Sequence, residues 1–118
     1  MIKKVKIYLS GAITGRPQGN IVVFNLWDCF FVQNGFAVFN PHSIPFDQKR
    51  DWCTAMAACM PQLYTSDIIA FIPGWHDSKG AFQEFVIAHE SGKEIVFLPA
   101  FRKGMLLSDV LLNTQEVI

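Results

Sequence analysis

The sequence has no excess of charge of either sign, because ten lysines and arginines balance ten aspartates and glutamates. It therefore lacks the electrostatic signature of a protein that binds nucleic acid or an anionic membrane. No apolar run approaches the roughly 18 residues of a membrane span. The first apolar run, Val5–Leu9, is also shorter than the roughly 7–15 residues of a signal-peptide core, so it predicts a buried strand instead.

Cysteine is scarce, and its spacing carries no metal or redox motif. Cys29, Cys53 and Cys59 form no CxxC pair, and an odd count argues against a disulfide framework. His42 and His89 join no recognisable nucleophile or zinc motif and are interpreted as structural. We therefore expect a cytoplasmic protein that holds neither a metal nor a cofactor.

Hydrophobic residues, in contrast, are abundant. They make up 51% of the 118 residues, and 14% of the chain is aromatic. This is enough for one packed core, and the chain has no repeat, linker or low-complexity segment. The sequence therefore predicts a single domain over residues 1–118.

Patterns typical of strands and helices alternate along this domain. Pro61 lies inside one predicted helix and is expected to kink or split it. The alternation predicts an α/β fold with a mainly parallel sheet of four to five strands, covered on both faces because the strands are continuously apolar. The predicted strands are Val5–Leu9, Phe36–Phe39, Ile68–Ile72 and Glu94–Leu98, and the predicted helices are Asn20–Gln33, Asp51–Tyr64, Gly80–Ser91 and Leu106–Leu112.

A polar segment follows each of the first three predicted strands: SGAITGR, NPHS and GWHDSKG. Ligands of open α/β sheets bind outside the carboxyl ends of the strands, so this convergence predicts a small-molecule pocket. The glycines of SGAITG would let the backbone approach a ligand, although a plain tight turn explains them equally well. Arg16 could bind a phosphate, but a lone loop arginine is more often solvated.

The segment PGWHDSKGAFQEF places a glutamate, Glu84, inside an otherwise apolar helix. Ser78 is expected to cap this helix, and Gly80 lies one turn before Glu84 on the same face. On pattern alone a solvent-facing Glu84 is favoured over an active-site carboxylate. Trp75 is interpreted either as a stacking partner for a ligand base or as a core aromatic. The segment LWDCFF is interpreted as core in preference to an oligomer face.

Several short motifs together resemble the nucleoside 2-deoxyribosyltransferase-like family, and in particular its small bacterial and phage members. The likeness covers roughly residues 5–98. The matching segments are Tyr8-Leu9-Ser10-Gly11-Ala12-Ile13-Thr14-Gly15, Phe39-Asn40-Pro41, Ser66-Asp67, Pro73-Gly74-Trp75 and Ser78-Lys79-Gly80-Ala81-Phe82-Gln83-Glu84.

This resemblance implies a flavodoxin-like three-layer sandwich that forms homo-oligomers and acts on nucleosides or nucleotides. Glu84 matches the nucleophile that attacks the sugar C1′ and forms a covalent glycosyl-enzyme, and Tyr8 matches a tyrosine that orients it. Tyr8 could equally be an ordinary aromatic of the sheet. The substrate-binding residues that the motifs imply are Ser10, Gly11, Ile13, Gly15, Arg16, Asn40, Gly74, Trp75, Ser78 and Gly80.

Two positions depart from the motifs of the nucleoside transferases. Ser78 stands where those enzymes carry an aspartate for the sugar 5′-hydroxyl, and relatives that hydrolyse 5′-monophosphates have serine there, so a 5′-monophosphate is favoured. Cys59 stands where the family has an aspartate that helps to protonate the departing base, and Asp51 is a weak substitute.

The expected function is therefore N-glycosidic cleavage or deoxyribosyl transfer, and the alternative is a catalytically impaired nucleotide-binding protein. The base and the sugar are left open.

Overall fold

The computed structural model of the protein describes residues 3–44 and 52–111. Strands and helices alternate over these residues in the predicted order. The strands are β1 (Lys6–Ser10), β2 (Ala37–Phe39), β3 (Ile68–Phe71) and β4 (Glu94–Phe97), and the helices are α1 (Ile21–Gln33), α2 (Trp52–Tyr64), α3 (Lys79–Glu90) and α4 (Leu107–Leu111).

The strands form one parallel sheet with the order β2-β1-β3-β4. This is the order of the first four strands in the flavodoxin-like doubly wound fold. The predicted α/β class and the sheet of four to five strands are confirmed. The order changes direction between β1 and β3, so the loops that follow these two strands diverge and leave a crevice at the carboxyl edge of the sheet.

Alternation along β1 divides its side chains between the two faces of the sheet. Ile7 and Leu9 join the hydrophobic cluster that contains α1 residues and Val110 of α4. Tyr8 joins the opposite cluster, which contains α2 residues and Ala88 of α3. The sheet is therefore the middle layer of a three-layer sandwich, and Tyr8 and Ser10 point to the α2–α3 side.

The aromatic segment of α1 belongs to the core, as expected. Trp27, Phe30 and Phe31 are buried, and the Trp27 ring lies 5.7 Å from Phe31 and 5.2 Å from Phe101. Leu26 is 40% exposed. The bulky aromatic side chains are therefore used for packing against the sheet.

Pro61 was predicted to kink or split its helix, and the split is wrong. α2 runs through Pro61 and ends at Tyr64. Pro61 lies in the last turn, where only the Ala57 carbonyl loses its helical N–H donor. Both Ala57 and Pro61 are exposed, so water can satisfy that carbonyl.

Among the described helices, none is both long and apolar enough to cross a membrane.

Candidate active site

A cavity of about 660 Å³ lies at the carboxyl edge of the sheet, where the sequence predicted a pocket. All three predicted segments contribute to it, and the described part of α2 supplies a further wall. Its volume falls in the range of small-molecule sites, roughly 300–1,000 Å³. The cavity is lined by Ser10, Gly11, Ile13, Thr14, Pro41, Ile44, Ala55, Met56, Cys59, Asp77, Ser78, Lys79, Gly80, Ala81 and Glu84.

Glu84 is a buried carboxyl group on the wall of this cavity. Its side chain extends from α3 toward the sheet, and the residue is only 7% exposed. The hydroxyl of Tyr8 donates to Oε2, and the hydroxyl of Ser10 donates to Oε1 over 2.6 Å. The solvent-facing position that the pattern favoured is therefore wrong. The carboxyl group can be buried there because each oxygen has its own donor from β1.

Burial has the largest effect on the pKa of the Glu84 carboxyl group. It raises the pKa of Glu84 to about 7 from an ordinary 4.5, while the hydrogen bonds from Ser10 and Tyr8 act in the opposite direction. Both donors are neutral hydroxyls. At neutral pH a substantial fraction of Glu84 is therefore the carboxylate, which is the nucleophilic form.

Tyr8 lies behind Glu84 and is fully buried, with its ring stacked on Phe39 at 5.2 Å. Burial, followed by the charge of Glu84, holds the pKa of Tyr8 well above its ordinary value of 10.0. Its hydroxyl therefore remains protonated and donates to Glu84 across the physiological pH range. This geometry suits the orienting role predicted for Tyr8.

Cys59 of α2 lines the same cavity and interacts with the Tyr8 hydroxyl. Burial raises the pKa of the thiol to about 11, the hydrogen bond with Tyr8 acts to lower it, and the charge of Glu84 adds to the increase. The thiol is consequently neutral at pH 7, so it is a weak nucleophile and too weak an acid to protonate a departing base effectively. Asp51, which the sequence offered as a substitute acid, lies outside the described residues.

The start of α3 forms the polar end of the cavity. Ser78 is the N-cap, as predicted, and its hydroxyl oxygen accepts a hydrogen bond from the Ala81 amide at 3.2 Å. Lys79 and Gly80 follow it and also line the cavity. Amide groups at a helix start and the Lys79 ammonium favour an anion at this end.

The predicted site residues divide into two groups. Ser10, Gly11, Ile13, Ser78, Gly80 and Glu84 line the cavity, and Tyr8 reaches it through Glu84. The residues that do not line it are Gly15, Arg16, Asn40, Gly74 and Trp75.

Arg16 and Gly74 instead support the rim of the cavity. The Arg16 guanidinium lies 3.5 Å from the carboxylate of Asp77, which does line the cavity. Gly74 has a φ of +89°, and a Cβ atom there would come within 2.8 Å of the Arg16 guanidinium. Glycine at position 74 therefore leaves space for the arginine.

Asn40 and Trp75 have structural partners in place of ligand-facing positions. Asn40 is buried, accepts from the His42 amide and donates to Asn25 and Asp28. The Trp75 ring lies within 6 Å of several aromatic rings, those of Phe71, Phe85, Phe97 and His76. The core interpretation of Trp75 is the one that this packing supports.

Sequence reasoning missed much of the apolar part of the cavity wall. Pro41, Ile44, Ala55 and Met56 were not predicted, and their apolar side chains gave no signal of a site. Ala55 and Cys59 are one helical turn apart, so the match of Cys59 to the transferase motifs was the one signal that could have located this face of α2.

Within the residues that the structure describes, no three His, Cys, Asp or Glu side chains are grouped so as to hold a metal ion.

A comparison with curated proteins finds no match to the chain. A family model matches residues 5–97, which include the strands of the sheet and the sequence from Tyr8 to Glu84. The chain belongs to the family described as "Domain of unknown function (DUF4406)".

Proposed function

We propose that the protein cleaves the N-glycosidic bond of a nucleotide or nucleoside, with a 5′-monophosphate preferred, through a covalent intermediate on Glu84. The observation that carries this proposal is a buried Glu84 carboxyl group, held by two hydroxyls at the wall of a nucleotide-sized cavity. The resemblance of the surrounding motifs to nucleoside 2-deoxyribosyltransferase-like proteins supports the same chemistry.

The reaction consists of two displacements at the sugar C1′. In the first, a Glu84 oxygen forms a bond to C1′ while the C1′–N bond breaks and its electron pair leaves with the base. In the second, water or another base attacks C1′ and releases the carboxylate. Tyr8 and Ser10 fix one oxygen each, so they orient the nucleophile and stabilise the carboxylate when it reforms.

The 5′-phosphate would lie at the start of α3. The Ser78 hydroxyl, the helix amides and the Lys79 ammonium all favour an anion there. An aspartate in place of Ser78 would repel the phosphate. This charge argument is the reason to prefer a monophosphate over a free nucleoside.

A second candidate function is nucleotide binding without effective catalysis. Its support is Cys59, whose neutral thiol faces the cavity where a departing base needs a proton. Loss of acid assistance typically lowers a rate by about 10²–10⁴-fold. A protein of this kind would sense or sequester a nucleotide.

Release of free base, detected by mass spectrometry, tests the proposal. Wild type, Glu84→Gln and Glu90→Gln are incubated with separate pools of nucleosides and nucleoside 5′-monophosphates. Glu90 is an exposed glutamate on the same helix, so its variant is the matched control. We expect wild type and Glu90→Gln to release base from the monophosphate pool, and Glu84→Gln to lose more than about 10³-fold of this activity.

The two candidate functions give different results in this experiment. If folded wild type binds monophosphates but releases no base from either pool, cleavage of the pooled substrates is excluded and the binding function is favoured for them. Equal release by wild type and Glu84→Gln would refute Glu84 as the nucleophile.

A further inference from the structure

The charges around the cavity favour a positive group next to Glu84. The charged side chains in the described lining are Asp77, Lys79 and Glu84, and of the two carboxylates Asp77 already has the Arg16 guanidinium at 3.5 Å. Lys79 lies at the phosphate end, whereas the hydrogen bonds to Glu84 come from neutral hydroxyls. A ligand cation close to Glu84 would therefore compensate a buried carboxylate that has no cationic hydrogen-bond partner among the described residues.

The part of the wall formed by α2 and by Pro41 and Ile44 has a different character. It is formed by Pro41, Ile44, Ala55, Met56 and Cys59, which are apolar except for a protonated thiol. A flat ring can pack on such a surface, and a methionine thioether makes favourable contacts with aromatic rings. This wall supplies no strong acid for the base from its described residues.

Together with the proposed function, these two features imply one orientation for a nucleotide in the cavity. The phosphate would occupy the start of α3, and the sugar C1′ would face Glu84. The base would then lie against the face of α2 that carries Ala55 and Cys59. A base in this position must leave without taking a proton from the described wall.

We propose, on the basis of the function proposed above, that the preferred substrates are nucleoside 5′-monophosphates whose base is a fixed cation, such as a pyridinium or an N7-alkylated purine. Cleavage of such a substrate needs no acid. When the C1′–N bond breaks, its electron pair neutralises the ring, and a neutral base departs while Glu84 forms the bond to C1′. Water then yields ribose 5-phosphate, restores the Glu84 carboxylate and releases one proton to solvent.

A binding experiment tests the charge preference without turnover. The probe is carbocyclic nicotinamide mononucleotide, which resists cleavage, together with its reduced form, whose dihydropyridine ring is uncharged. Dissociation constants are measured by calorimetry at pH 8 for wild type, Glu84→Gln and Glu90→Gln. We expect wild type and Glu90→Gln to prefer the oxidised form by at least about tenfold, and Glu84→Gln to lose that preference, because the charge pair is largely removed from water.

A kinetic experiment tests the role of the wall. Guanosine 5′-monophosphate and 7-methylguanosine 5′-monophosphate differ by one methyl group and one charge, and base release is measured for both. We expect wild type to cleave the methylated nucleotide and to leave the other almost intact. Cys59→Asp should raise the ratio of kcat/KM for guanosine 5′-monophosphate to kcat/KM for the methylated nucleotide by about 10²-fold, because only the former needs an acid. Cys59→Asn is the neutral control.

The outcomes separate this inference from the function on which it rests. If wild type cleaves the two guanine nucleotides with kcat/KM values within tenfold of each other, the cationic class is refuted and glycosidic cleavage stands. If the oxidised probe is preferred but no nucleotide is cleaved, the ligand class stands and catalysis is refuted. Equal binding of the oxidised and reduced probes refutes the cationic class, and this result does not require Cys59→Asp to fold.

Discussion

The ionisation of Glu84 opposes folding, because the folded protein binds its proton more tightly than the unfolded chain does. The folded pKa is raised to about 7 against an ordinary 4.5. The free energy of unfolding should therefore fall as pH rises from about 4.5 to 7, by up to about 3 kcal/mol from this group alone. Above pH 7 the full penalty is present, and below pH 4.5 it is absent.

Glu84→Gln removes this titration and should change the pH dependence of stability. The difference in free energy of unfolding between Glu84→Gln and wild type should increase in favour of the variant by up to about 3 kcal/mol from pH 5 to pH 8.5. The reason is that the glutamine stays neutral in both the folded and the unfolded state. Urea unfolding at both pH values measures the difference, with Glu90→Gln as the control that should follow wild type. A difference between Glu84→Gln and wild type that is the same at both pH values would mean that Glu84 has an ordinary pKa.

The hydrogen bonds to Glu84 were only partly predictable from sequence. Tyr8 and Ser10 are two residues apart on a predicted strand, so their shared face follows from the alternation of side chains. That this face meets Glu84 depends on how α3 packs on the sheet. A helical charge pattern does not contain this information, so Ser10 was predicted only as a ligand contact. In the structure it lines the cavity and also donates a hydrogen bond to Glu84.

Among the elements, α3 begins at the N-cap residue Ser78, and the same residue belongs to the proposed phosphate site. Ser78→Ala should lower the free energy of unfolding by about 1 kcal/mol through loss of the N-cap. Ser78→Asp keeps a good cap but adds a negative charge to the phosphate end. It should therefore retain stability and reduce the preference for a 5′-monophosphate over its nucleoside by at least about tenfold.

Calorimetry with a nucleotide and its nucleoside, together with urea unfolding, separates the two effects. Ser108→Asp is the control, because it makes the same charge change at an exposed position of α4. This helix lies on the other face of the sheet from the cavity, since its Val110 packs in the cluster with the α1 residues. If Ser78→Asp and Ser108→Asp bind both ligands alike, the phosphate does not lie at the start of α3.

The order and type of the elements followed from periodicity, but their ends and interruptions did not. The strand IIAFI was predicted from its continuous apolar run, and the structure places Ile69 and Phe71 on one face and Ala70 and Ile72 on the other. Pro61 was expected to kink or split α2, and α2 is not split. The effect of a proline depends on its distance from the helix end and on its exposure. Neither quantity is visible in a local pattern.

For the whole molecule, the sheet joins two hydrophobic clusters that share the same strands. β1 contributes Ile7 and Leu9 to one cluster and Tyr8 to the other. If either helical layer separated from the sheet, one face of the strands would be exposed to water. The other face of the same strands would still be covered by the second helical layer. Homo-oligomer formation and a cytoplasmic location stay predictions at this scale, and light scattering would measure the former.

This shared sheet predicts that both faces unfold together. Trp27 reports on the α1 side, where it packs against Phe31, and Trp75 reports on the α2–α3 side, where it packs against Phe71 and Phe85. Two double variants, Trp52→Phe/Trp75→Phe and Trp27→Phe/Trp52→Phe, each keep one of these reporters. In urea, we expect the fluorescence midpoint of each variant to coincide with its own midpoint from far-ultraviolet circular dichroism, as two-state unfolding requires.

The comparison is made within each variant, so the stability lost by replacing a buried tryptophan does not affect it. A Trp75 transition at lower urea than the loss of secondary structure would mean that the α2–α3 layer opens while the rest stays folded. Such local opening would expose Glu84 to water below the global transition. Coincident transitions would instead tie the burial of Glu84, and with it the raised pKa, to the integrity of the whole sheet.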